Sequence, residues 1–208
     1  MADAPILVVD DDADVRDSLR ALLESSGFSV VDHDSAAAVL VDPGIGTAVC
    51  LIADIRMPGM DGLQLQEELN RRKIPVPIIV VTGHGDVPLA VRAMKAGAID
   101  FLEKPFDEQL LLAAVRRAKA VAEQSRSEAQ AGEQAARLIQ QLTPRERDVL
   151  KHLVAGRPNK VIAYELSLSP RTVEIHRAHL MDKMQAHSLS DLIRSALAAG
   201  FGPESGDH

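Results

Sequence analysis

Asp54 ends the apolar run Val49–Ala53 and is followed by Arg56, Met57, Pro58 and Gly59. Three other short apolar runs also lead into polar groups. Ile6–Val9 leads into Asp10, Asp11 and Asp12, Ile78–Val81 into Thr82, and Ile99–Leu102 is followed by Lys104. Carboxylates brought together raise one another's pKa, so a cation is the economical explanation for acids converging in one crevice. Oxygen-only ligands favour Mg2+, which keeps several waters and prefers a phosphate partner. Lys104 then offers a positive charge for phosphoryl oxygens and Thr82 a hydroxyl donor. In that setting Asp54 has the chemistry of a carboxylate nucleophile, accepting a phosphoryl group as an aspartyl phosphate. Taken singly, each residue has a plainer reading: Asp10 or Asp11 as a helix cap, Thr82 as a strand end, Lys104 as a solvated charge, Asp54 as a turn residue. Their joint spacing on successive strand ends favours a site.

The elements that must position these groups alternate regularly. Ile6–Val9, Ser29–Val31, Val49–Ala53, Ile78–Val81 and Ile99–Leu102 are brief and rich in Val and Ile, which predicts strands. Between them lie helical patterns over Asp14–Ser25, Ser35–Leu40, Asp61–Arg71 and Asp86–Ala96, with another beginning near Asp107. Gly27, Gly97 and the Pro75/Pro77 pair separate them. Such alternation predicts an α/β doubly wound parallel sheet of five strands with helices on both faces. Ligands of that architecture sit where the strand carboxyl ends face a crevice, which is where the polar groups above fall.

From Ala120 to Gln141 the chain is rich in Ala, Glu, Gln and Arg and lacks Pro. Strong helix formers predict that the fifth helix extends into a stiff connector, with Gly132 as its weakest point. Beyond Gln141 the pattern is purely helical. Thr143–Glu146 forms a capping box with Pro at the first helical position. Asn159 is a candidate cap for a second helix over Lys160–Leu166. Ser169-Pro170 starts a third, running to about Met184, and Ser188 starts a fourth that ends before Gly200. The domains expected are 1–122, a helical linker over 123–140, and a small all-α four-helix domain over 141–208.

The second and third of these helices, joined by Ser167-Leu168-Ser169, have the layout of a helix-turn-helix. In that geometry the later helix enters the major groove. Val173, Leu180 and Met184 share its inner face, leaving Glu174, Ile175 and Ala178 outward. Glu174 could accept from a cytosine amine and Ile175 could touch a thymine methyl. Lys160, Arg171, Arg177 and Lys183 are candidates for phosphate contacts, with Thr172 beside them. Charge agrees in direction. Residues 1–125 hold 12 Lys+Arg against 20 Asp+Glu, whereas 141–199 hold 9 against 6, within an overall charge of -7.

Composition excludes several classes. Hydrophobic content of 46% with 25% charged residues describes a globular chain. No apolar stretch approaches the ~20 residues of a membrane helix. The acidic start MADAPILVVDDD does not fit a signal peptide. With Cys50 as the only cysteine there is no disulfide framework and no zinc cluster. A cytoplasmic protein without membrane attachment is expected.

The blocks VVDDD, ADIRMPGMDG, VVTGHGD and AGAIDFLEKPF resemble the signature blocks of bacterial response-regulator receiver domains over residues 5 to about 122. The segment LTPRERDVLKHLVAGRPNKVIAYELSLSPRTVEIHRAHLMDKM resembles the LuxR-type DNA-binding domain over about 141 to 200. Together they look most like FixJ-type nitrogen-fixation regulators, acting as transcriptional activators. The resemblance implies a flavodoxin-like strand order 2-1-3-4-5. It implies phosphorylation at Asp54, metal binding by Asp10, Asp11, Asp54 and the backbone carbonyl of Arg56, a switch hydroxyl on Thr82, and Lys104 on the phosphoryl group. Phe101 falls at the aromatic position that reorients on activation. It further implies a Mg2+ cofactor, a sensor histidine kinase as phosphodonor, promoter DNA and RNA polymerase as partners, and a homodimer when phosphorylated, through Val91, Arg92 and Lys95. No enzyme activity is expected beyond self-phosphorylation and autodephosphorylation. Arg56 and His84, each two residues beyond a site group, are expected to set the lifetime of the phosphoryl group. A partner-binding phosphotransfer module and a Mg2+-dependent hydrolase remain alternatives, the latter without a second catalytic base to support it.

Overall fold

The computed structural model describes residues 4–83 and 87–202. The chain divides into two compact units, 1–125 and 126–208. In the first, β1 (Ile6–Val9), β2 (Val30–His33), β3 (Cys50–Asp54), β4 (Ile78–Thr82) and β5 (Asp100–Glu103) form one sheet in the order β2-β1-β3-β4-β5. Every pairing is parallel, with Leu7 opposite Leu51 and Ala53 opposite Val80. The interspersed helices are α1 (Ala13–Ser25), α2 (Ala36–Val41), α3 (Gly62–Arg71), α4 (Val87–Lys95) and α5 (Glu108–Gln140), with a 3-10 turn at Ile45–Thr47.

Side chains on a strand alternate between faces, and that alternation sorts the helices. Leu7, Val9, Leu51, Ala53, Ile78 and Val80 pack with α2, α3 and α4 through Val39, Leu63, Leu65, Leu69 and Ala93. Ile6, Val8, Cys50, Ile52, Ile79 and Val81 pack on the other face with Leu19 and Leu23 of α1 and Leu111, Val115 and Ala118 of α5. With both faces covered, the central strands are continuous apolar runs, as a buried parallel sheet requires. Each fully buried Leu, Ile or Val contributes about 1.5–3 kcal/mol relative to exposure.

The second unit holds the end of α5 with α6 (Pro144–Val154), α7 (Asn159–Glu165), α8 (Pro170–Lys183) and α9 (Leu189–Ala198). Its core gathers Val149, Leu150, Ile162, Val173, Leu180, Met184 and Leu192. Ala135 and Ile139 are buried in the same cluster, so the last turns of α5 pack into this core. Gly132 does not break the helix. A Cβ there would lie 2.6 Å from the carbonyl oxygen of Ala198, so glycine permits a close backbone approach between α5 and α9. Thr143 and Glu146 form the expected capping box, and Ser169 and Ser188 cap α8 and α9. Asn159 is not a cap: Pro158 occupies that position and Asn159 is the first helical residue, its amide oxygen accepting from Arg177. No helix among the described residues is long and apolar enough to cross a membrane.

Candidate functional site

β3 delivers Asp54 to the carboxyl edge of the sheet, where it is 5% exposed. Its Oδ2 accepts the Arg56 backbone N–H at 2.6 Å and its Oδ1 accepts Lys104 Nζ at 2.7 Å. β1, the neighbouring strand, leads directly into Asp10, 2% exposed. Asp10 Oδ2 accepts the same Lys104 Nζ at 2.6 Å and Oδ1 accepts the Asp12 N–H at 3.0 Å. One ammonium thus bridges two buried carboxylates that stand 44 positions apart in sequence, as Asp10 and Asp54. Thr82, at the end of β4, is fully buried, and its carbonyl oxygen accepts the Lys104 N–H at 2.7 Å. The β4–β5 ladder therefore places the Lys104 backbone beside the strand that carries Thr82.

The electrostatics follow from burial. Desolvation pushes the Asp54 carboxyl above its ordinary range, and the charge of Asp10 pushes the same way. Lys104 and the Arg56 N–H pull against them. For Lys104, desolvation favours the neutral amine, but hydrogen bonds to Asp10 and Asp54 overcome it and raise its pKa. Two buried carboxyl groups and one half-buried ammonium thus line a crevice edge, where the acids suit a hard cation and Lys104 suits phosphoryl oxygens.

Among the described residues, no group of three or more His, Cys, Asp or Glu side chains is arranged to hold a metal ion. Asp10 and Asp54 are both buried and share Lys104, while the Asp11 side chain is exposed. A third carboxylate beside a pair sharing one ammonium is more stable in water than in the cluster. Asp12 is the N-cap of α1, accepting the Asp14 N–H at 2.9 Å. The donors are all oxygen, which matches a hard divalent ion in kind.

Two residues that sequence reasoning passed over shape this crevice. A Cβ on Gly62 would lie 2.2 Å from the Asp54 carbonyl oxygen, and the Gly62 N–H donates to Ile55 O at 3.0 Å. The DG pair therefore works as a unit: Asp61 caps α3 in a capping box with Gln64, and Gly62 lets that first turn sit on the end of β3. Arg16 of α1 donates through Nη1 to the Asp10 carbonyl oxygen at 2.7 Å. A side chain at helical spacing from an Asp cluster was the available signal for Arg16. Nothing local signals a close approach at Gly62.

Arg56 is exposed, and His84 lies outside the described residues. Phe101 is half-buried against the core on the α3 and α4 side. On α4, Val91 is 44% exposed, and Arg92 and Lys95 are exposed as well. Arg92 approaches Glu67 of α3 at 3.3 Å. Val87 and Met94 extend the same exposed apolar surface.

In the helical unit, α7 and α8 are joined through Ser167, whose φ of 55° makes the tight turn. Val173, Leu180 and Met184 are buried as expected, and Arg171, Glu174, Ile175 and Ala178 are exposed. Lys160 is also exposed. Thr172 is spent on the cap of α8, where its N–H donates to Ser169 Oγ at 3.0 Å and the two hydroxyls are 2.8 Å apart. Arg177 Nη1 donates to Asn159 at 2.8 Å, and Lys183 Nζ donates to Glu146 Oε2 at 2.7 Å. These two candidate phosphate contacts are thus engaged within the unit. Tyr164, which the sequence did not single out, is 87% exposed on α7.

Residues 6–116 match the family described as the response regulator receiver domain, and residues 140–196 match the luxR family of bacterial regulatory proteins. The chain is 54% identical to the transcriptional regulatory protein FixJ of Azorhizobium caulinodans, over 96% of this chain and 94% of that protein. The solved structure of the response regulator StyR covers 94% of this chain and 99% of its own, with a TM-score of 0.74 and 42% identity. Full-length FixJ from B. japonicum covers 96% and 98%, with a TM-score of 0.55 and 46% identity. A parallel five-stranded unit with an acid–lysine crevice, a helix-turn-helix unit and relatives matched nearly end to end lead to one assignment: the chain belongs to the response-regulator family, as a FixJ-like transcriptional regulator with a receiver domain and a LuxR-type DNA-binding domain.

Proposed function

We propose that Asp54 accepts a phosphoryl group from a sensor histidine kinase and that this modification drives dimerisation and promoter binding. The observation that carries the reading is the shared Lys104 ammonium, which holds the Asp54 and Asp10 carboxylates together at the carboxyl edge of the sheet. Asp54 is the nucleophile because its Oδ1 and Oδ2 are oriented by Lys104 and the Arg56 N–H. Lys104 shifts from the carboxylates onto the incoming phosphoryl oxygens, and the Thr82 hydroxyl turns toward them. Asp10, Asp11, Asp54 and the Arg56 carbonyl are the groups to hold Mg2+, which when bound neutralises charge on the phosphoryl oxygens. A groove of about 450 Å3 along α1, lined by Val15, Leu19, Leu22, Lys104 and Phe106, gives a kinase access to Lys104 from the α1 side.

Phe101 couples the site to the exposed face of α4, where Val91, Arg92 and Lys95 meet a second receiver. Two helix-turn-helix units then occupy paired half-sites, and the second contact gains from effective concentration. Glu174, Ile175 and Ala178 face base edges. Lys160 and Arg171 take phosphates, while Arg177 and Lys183 do so only by leaving Asn159 and Glu146. The likeness to the transcriptional regulatory protein FixJ supports transcriptional regulation as the outcome, which we propose is activation of nitrogen-fixation genes through RNA polymerase. The test is acetyl phosphate with Mg2+ on the full chain, read by intact mass and by sedimentation. Wild type is expected to gain one phosphoryl group and dimerise, and Asp54→Asn to do neither. An equal response from Asp54→Asn would overturn the assignment.

A further inference from the structure

Arg16 has no part in the phosphoryl chemistry above, yet its side chain is only 16% exposed and is held at two points. Nη1 donates to the Asp10 carbonyl oxygen at 2.7 Å, and Nε donates to Asp32 Oδ2 at 3.2 Å. The remaining oxygen of Asp32, Oδ1, pairs with Arg20 on the next turn of α1. Asp32 stands on β2 opposite Val8 of β1. A chain of charged contacts, Arg20 to Asp32 to Arg16, therefore runs from the edge strand to the carbonyl of Asp10, just beyond β1.

That carbonyl belongs to the Asp10–Asp11 peptide. Because the peptide is planar, holding the Asp10 oxygen also sets the N–H and Cα of Asp11. The other polar atoms of Asp10 are occupied: its N–H donates to His33 O at 3.3 Å, and its carboxylate oxygens accept from Asp12 N and Lys104 Nζ. The Asp11 side chain is exposed, so the backbone beneath it decides where its carboxylate can reach. A hydrogen bond from a guanidinium is stronger than one between neutral groups, which suits Arg16 to this task. Asp32 does a second thing. Released from Asp32, the Arg16 guanidinium, which already reaches the Asp10 carbonyl, would be freer to compete with a cation for the Asp10 carboxylate.

We propose that Arg16, aligned by Asp32, is a positioning residue that sets the divalent-cation affinity of the acidic crevice through the Asp10–Asp11 peptide. The inference rests on the reading of that crevice as the phospho-acceptor site. Hydrogen-bond partners that orient metal ligands change affinity by about 10- to 100-fold when removed, and a loss of at least about 10-fold is expected here.

The experiment is a titration of the unphosphorylated full chain with Mg2+ alone, followed by backbone-amide NMR shifts, alongside thermal unfolding. Arg16→Gln is expected to raise the Mg2+ dissociation constant at least about 10-fold and to shift the Asp11 amide in the metal-free protein. Asp32→Asn weakens binding in the same direction. Arg16→Lys recovers part of the affinity, because an ammonium can still donate to the carbonyl. Unchanged Mg2+ affinity in folded Arg16→Gln overturns the inference, whatever happens to thermal stability. Should Arg16→Gln fail to fold, Asp32→Asn decides by the same criterion. Absence of Mg2+ binding by wild type would instead remove the phospho-acceptor reading itself, which separates the two failures.

Discussion

Gly62 and Glu146 show how single residues support their sites without touching a ligand. An alanine at Gly62 would push its Cβ to 2.2 Å from the Asp54 carbonyl oxygen, against backbone that cannot swing away. Gly62→Ala is expected to destabilise the receiver by about 1–3 kcal/mol and to slow phosphorylation from acetyl phosphate. Asp61→Ala, which removes only the cap, should cost about 1 kcal/mol; urea titrations of both variants check the order. Glu146 is 3% exposed yet charged. Desolvation opposes its ionisation, but Lys183 and the N–H and hydroxyl of Thr143 overcome this and hold the carboxyl at about 2. A folded-state value below the ordinary 4.5 means that the stabilisation is present in full above pH 4.5 and is lost as pH falls toward about 2. The melting midpoint of the helical unit should therefore drop across that window in wild type and drop less in Glu146→Gln. Parallel curves for the two proteins would show that the Glu146 carboxylate adds nothing.

At the scale of elements, α5 tests whether propensity or packing governs. Propensity alone marks Gly132 as a defect, since alanine in a helix interior is better by about 1 kcal/mol. The contact with the Ala198 carbonyl reverses the sign, because a Cβ at 2.6 Å would drive α5 and α9 apart. Gly132→Ala is expected to lower the stability of the helical unit by about 1–3 kcal/mol, measured by denaturation, and to leave phosphorylation of Asp54 intact. A stabilised variant would mean that the α5–α9 approach relaxes freely. The capping box at Thr143 and the serine caps of α8 and α9 were legible in the sequence because they involve residues three positions apart. The close approach at Gly132 was not, because its partner lies 66 positions along the chain, at Ala198.

For the whole molecule, the prediction concerns coupling between phosphorylation and DNA binding. Val91→Asp places a charge on the exposed apolar surface of α4 and should abolish phosphorylation-dependent dimerisation while the mass gain at Asp54 persists. Sedimentation and intact mass on the same sample separate the two. Lys160→Ala should weaken binding uniformly across sequences and reduce the salt slope of log K by about 1; an unchanged slope would remove Lys160 from the phosphate contacts. The strand ends bearing Asp10, Asp54 and Thr82, the parallel sheet and the helix-turn-helix layout were determined by the sequence alone. Each is written in short-range periodicity, in which a buried strand must be apolar until it reaches the edge. Only the tertiary structure decided which charges meet. Lys104 unites Asp10 with Asp54, Asp11 stays in water, Lys183 turns to Glu146 and Arg16 to the Asp10 carbonyl. Partner choice among charges depends on desolvation and distance in three dimensions, and neither quantity is carried by spacing along the chain.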